Sequence, residues 1–136
     1  MVKHLKSQLP SILWALLVFT LCNMPINNMG NTFSYFEGFD KLVHLGFFFV
    51  LAVLIFWGRI NSLKNYHLIS DLTIAVLVTF CFGSGIELLQ WKVFTYRSGD
   101  WWDLFADMLG VAMAIFAYIL LHKKQDFITL KTKLLQ

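Results

Sequence analysis

Apolar residues in this chain do not recur at one steady period. They are gathered into four blocks, roughly Leu9–Met24, Leu42–Trp57, Leu72–Leu89 and Trp101–Leu121, separated by short polar stretches. With flanking amphipathic positions counted, each block approaches the roughly 17–25 residues that carry a helix across a bilayer. The period-two alternation of an outer-membrane barrel is missing. The pattern predicts an all-α fold, an integral membrane four-helix bundle in a single domain. Its spans fall at about residues 9–24, 40–58, 70–90 and 101–121, with residues 122–136 as a tail.

Local signals place the ends. Pro10 is expected in the first turn of helix 1, where its missing N–H is harmless, and Asn23-Met24-Pro25 stops that helix. Ser70-Asp71 reads as the N-cap of helix 3. Helix 4 is expected to end at His122-Lys123-Lys124, leaving a tail that suits a short amphipathic surface helix. The first connection carries Phe33, Tyr35, Phe36 and Phe39 among turn formers, the composition of a loop lying against lipid headgroups.

Polar residues interrupt the pattern at costly depths. Asp100, Asp103 and Asp107 are spaced i, i+3, i+7, so one helix face carries all three, with Asp107 about 10 Å deeper than Asp100. Gly110, Ala114 and Ala117 continue that face as a strip suited to close helix contact. Asp40 and His44 share a face of helix 2 at i, i+4. Thr79, Gly83, Glu87 and Gln90 fall within an arc of about 80° on helix 3. Ionisable groups at membrane depth turn toward protein or water and mark function by default.

Composition agrees with the pattern: over 136 residues, 58% are hydrophobic and 14% charged, with mean hydropathy +0.66. A net charge of +3 and a pI near 9.0 would suggest nucleic acid, yet the basic residues cluster at the N-terminus, the second connection and the tail. Only Lys41, Lys92 and Arg97 lie near the other connections. That asymmetry reads as topology, N-in/C-in, and excludes nucleic acid as the partner. The first block is read as a retained anchor, because no small-x-small cleavage site follows it. Cys22 and Cys81 offer neither a disulfide framework nor metal-ligand spacing, and Cys81 is expected to be a buried, inert thiol.

With both termini inside, Asp40, Lys41, His44, Glu87, Gln90, Lys92, Arg97, Asp100, Asp103 and Asp107 gather at the outer membrane face. Carboxylates so close would repel, so protonation, a metal or a basic ligand must relieve them. As a metal set, His44, Glu87, Asp103 and Asp107 would suit Mn, Mg or Zn. As a catalytic set, His44 would be the base, Glu87 or Asp103 its acid, and Arg97 the clamp for a phosphate. The sequence requires no cofactor.

The order Asp40-Lys41-x-x-His44, Glu87-x-x-Gln90, Arg97, then Asp103-x-x-x-Asp107-x-x-Gly110 resembles the VanZ-like family across about residues 40–114. That family is named for a membrane protein linked to teicoplanin resistance. Its pattern has Asn where this chain has Asp107. The resemblance implies a bacterial cytoplasmic-membrane protein of the cell envelope, affecting sensitivity to lipoglycopeptides. Asp40, Lys41, His44, Glu87, Gln90, Arg97, Asp100, Asp103 and Asp107 would line an outward pocket for a cell-wall precursor or lipid headgroup. The alternative is an intramembrane hydrolase acting on a membrane lipid through His44 with Glu87 or Asp103. A transporter is disfavoured, since no inverted repeat is evident in four short spans.

Overall fold

A computed structural model describes the backbone of residues 2–24, 38–62, 68–93 and 99–134, with side chains described within residues 5–121. The first outer connection, His67 and Arg97 lie outside the described residues. Four helices follow one another: α1 (Val2–Asn23), α2 (Phe39–Ser62), α3 (Leu68–Lys92) and α4 (Trp101–Leu134). Each contains a stretch long and apolar enough to cross a membrane, the last of them Trp101–Leu121. Only 17–33% of each span is buried within the bundle. The remaining surface is largely Leu, Val and Phe, as a lipid-facing exterior requires.

Long-range contacts give the packing directions. Gln8 Nε2 donates to the Ile55 carbonyl, Trp14 Nε1 to the Phe47 carbonyl, and Cys22 meets His44, so α1 and α2 run antiparallel. The pairs Lys41–Asp103, His44–Asp107 and Phe56–Tyr118 advance together, which makes α2 and α4 parallel neighbours. That interface is the most extensive of the bundle. Both helices therefore begin at the same end, and α1 and α3 finish there.

Close approach of α2 and α4 is set at Gly110. A Cβ there would run into the Leu45 carbonyl, so only glycine fits. Below it, Phe48, Leu51, Ala52, Val111 and Ala114 form the buried core, with the Phe56 and Tyr118 rings stacked at 4.3 Å.

Several expected ends move. Helix α1 begins at Val2, so Pro10 lies in the helix interior and leaves the Lys6 carbonyl without its usual N–H partner. Helix α3 begins at Leu68, which places Ser70 and Asp71 inside its first turn. Asp71 is buried there against Arg59 from the last turn of α2, tying the two helices together. Helix α4 runs past His122-Lys123-Lys124 to Leu134, because nothing from 122 to 134 is a glycine or proline that would break it. Cys81, expected to be buried, is exposed on the outer surface of α3.

Candidate functional site

The shared end of the four helices holds the polar residues of the bundle. Asp100 precedes α4 and caps it: its Oδ1 accepts the Trp102 N–H at 3.0 Å, while its carbonyl accepts the Asp103 N–H at 3.0 Å. Its Oδ2 accepts a charged hydrogen bond from Lys41 Nζ at 2.8 Å, and Lys41 also donates to Asp103 Oδ1 at 3.2 Å. The lysine ammonium, together with the Trp102 N–H, holds the Asp100 carboxyl below the usual carboxylate range.

One helical turn deeper, His44 Nδ1 stands 3.0 Å from Asp107 Oδ1. An ionised Asp107 only accepts, so it takes the Nδ1 proton, leaving Nε2 as a lone pair in the neutral ring and as a second N–H in the imidazolium. Nε2 faces the Cys22 sulfur at 3.9 Å. Gly83 of α3 makes room for Asp107; a Cβ at Gly83 would come within 2.9 Å of Asp107 Oδ2. Glycine is thus required at the Gly110 crossing, where the clash is with backbone, while a side chain at Gly83 would displace the Asp107 carboxylate.

From α3, Glu87 Oε2 accepts the Asp100 N–H at 2.8 Å, and Glu87 Oε1 is buried without a hydrogen-bond partner among the described residues. Gln90 Nε2 donates to the Cys22 carbonyl at 2.8 Å, which locks the last turn of α1 onto α3. Asp40 opens α2 and is exposed. Exposure falls steeply with depth: the side chains of Lys41 and Asp100 are 40% and 39% exposed, and those of Asp103, His44 and Asp107 only 6%, 3% and 1%.

Of the residues expected at the site, Asp40, Lys41, His44, Glu87, Asp100, Asp103 and Asp107 come together at this end. Gln90 is beside them but is engaged by backbone, and Lys92 instead lies over the Trp91 ring. Glu87 belongs with Asp100, whereas the partner of His44 is Asp107. Cys22 was not foreseen. Its position at the C-terminal end of the first span, level with His44, was the available signal.

For a metal, the closest set among the described residues is Asp40, His44 and Asp103, whose ligand atoms lie within 4.8 Å of one another. Lys41 already occupies Asp103, and both imidazole nitrogens face other groups. A cation would have to displace one of these contacts.

Four apolar helices enclosing a graded polar cluster at one end define a multi-pass membrane protein with a surface-facing polar site. The family profile VanZ/LLP1 matches residues 5–122, and the chain belongs to that family. It is also 35% identical over 86 residues to an uncharacterized protein of Schizosaccharomyces pombe, an alignment covering 63% of this chain and 50% of the relative. The chain thus spans about half the length of that curated relative. No solved structure matches it.

Proposed function

We propose that the chain binds the amine-bearing headgroup of a membrane lipid, or of a lipid-linked cell-wall precursor, in the polar pocket at the shared helix end. The observation that carries this is the exposure gradient from Lys41 and Asp100 at the mouth to His44 and Asp107 at the floor. Such a gradient supports entry of a ligand from the membrane surface, with Lys41 and Asp100 as its first contacts. Five acids, Asp40, Glu87, Asp100, Asp103 and Asp107, stand against Lys41 and the titratable His44 among the described residues. An ammonium group answers that surplus. Arg97 would accompany it as the contact for the headgroup phosphate.

In this reading the pocket faces outward from a bacterial cytoplasmic membrane with both termini inside, following the distribution of Lys and Arg. Similarity to a fungal protein favours a phospholipid headgroup, present in both kinds of membrane, over a precursor restricted to bacteria. Altered lipoglycopeptide sensitivity would then follow from occupancy of the same membrane surface.

Titration of the purified chain with phosphatidylethanolamine and phosphatidylglycerol tests the proposal. Preference for the amine lipid is expected, and Asp103→Asn should weaken it about tenfold, the equivalent of one charged hydrogen bond at about 1.5 kcal/mol. Equal binding of both lipids would discard it. Unchanged survival of a deletion strain across a teicoplanin gradient would remove the link to the antibiotic.

A further inference from the structure

We infer that Cys22, His44 and Asp107 form a nucleophile, base and orienting acid for acyl transfer from a membrane lipid ester. Three separate helices supply them. The Cys22 sulfur lies 3.9 Å from His44 Nε2, and His44 Nδ1 lies 3.0 Å from Asp107 Oδ1. This order, thiol to one imidazole nitrogen and carboxylate to the other, is what an activated cysteine needs. At 3.9 Å the sulfur and nitrogen stand at the outer limit of a hydrogen bond to sulfur, so attack requires them to close by a few tenths of an ångström.

The polarity of the ring is correct for the role. In the neutral ring with Nδ1 donating to Asp107, the Nε2 lone pair faces the thiol, and the carboxylate stabilises the imidazolium formed when the thiol proton arrives. The two flanking residues stand differently to the motif pattern that carries the family resemblance. Cys22 lies before it, and Asp107 replaces the asparagine of that pattern. An asparagine could orient the ring but would not balance an imidazolium. Cys22 and Asp107 sit on opposite sides of the same histidine.

Cys22 is also held in place. Gln90 fixes its carbonyl at 2.8 Å, and Asn23 Nδ2 donates back to the Phe19 carbonyl, so the last turn of α1 is anchored on both sides. Depth selects the substrate. His44 lies five residues into α2 and Asp107 six residues into α4, about 7–9 Å below the helix ends. In a bilayer whose interfacial layer is about 5–8 Å thick on each side, this is the level of glycerolipid ester carbonyls.

The step balances without a redox partner. His44 Nε2 takes the Cys22 proton as sulfur attacks the ester carbonyl carbon. The bond from that carbon to the glycerol oxygen breaks, and His44 returns the proton to the departing alcohol. Water then adds to the thioester, giving its proton to His44. The carbon–sulfur bond breaks, the thiol is restored, and ester plus water has become acid plus alcohol.

The choice of a lipid ester rests on the headgroup-binding reading; the nucleophile itself does not. The full chain in detergent should be incubated with p-nitrophenyl decanoate and its adducts mapped by mass spectrometry. A hydroxylamine-sensitive decanoyl adduct on Cys22 is expected, present also in Cys81→Ala. It should form at least about 100-fold more slowly in His44→Gln, and more slowly in Asp107→Asn. The wild-type adduct is read without any variant, so a misfolded mutant cannot hide the answer. No adduct on Cys22, or one formed equally fast in folded His44→Gln, overturns the inference. Fatty-acid release from phosphatidylethanolamine and phosphatidylglycerol vesicles at equal rates would sink the headgroup reading while sparing the nucleophile.

Discussion

Individual residues here respond to substitution according to the space around them. Gly110→Ala drives a methyl into the Leu45 carbonyl, whereas a Cβ on Gly46 meets nothing within 4 Å. The first should cost about 1–3 kcal/mol through overpacking. The second should be neutral or stabilise by up to about 1 kcal/mol, from helix propensity. Thermal unfolding in detergent of the two variants should therefore move in opposite directions. Asp100 gives a pH signature. Its carboxyl is held below its ordinary value of 3.8 by Lys41, so the pairing stabilises the fold above that pH and is lost as pH falls through the depressed value. The gap in melting temperature between wild type and Asp100→Asn should shrink as the solution is taken below about pH 4.

Among elements, the α2–α3 connection depends on the pairing of part-buried Arg59 with buried Asp71, at the opposite end of the bundle from the polar cluster. Arg59→Ala strands Asp71, which is 1% exposed and has a second oxygen already without a partner among the described residues. A loss of about 3–5 kcal/mol is expected, and Arg59→Ala with Asp71→Ala together should recover part of it. A double-mutant cycle on unfolding reads this coupling directly. The same pair shows why helix ends were less legible than helix existence. Apolar blocks of about 20 residues announce a span, but Ser70-Asp71 looks like a cap from sequence whether its partner is a backbone N–H or an arginine on another helix. Pro10 and His122-Lys123-Lys124 misplace their ends for a related reason: local signals permit a stop without enforcing one.

At the scale of the whole molecule, four spans and the gathering of acids with His44 could be read from hydropathy and motif order. Pairing could not. Spacing put Glu87 or Asp103 beside His44, while the parallel register of α2 and α4 selects Asp107, and the antiparallel fit of α1 brings in Cys22. Register is a property of packing at Gly83 and Gly110, not of any one helix. The orientation is open to a direct check. Green fluorescent protein fused after Gln136 should fluoresce in bacteria, and alkaline phosphatase fused there should be inactive, if both termini are cytoplasmic.

The parallel α2–α4 interface also imposes an order on biosynthesis. His44 and Asp107 are separated by 63 residues of chain. At about 5–20 residues per second, α2 waits roughly 3–13 s in the membrane before its acid is made. During that interval Lys41 and His44 must be sheltered by α1, α3 or the insertion machinery. A chain arrested before α4 would keep them exposed to lipid, marking it for faster proteolysis than the finished protein.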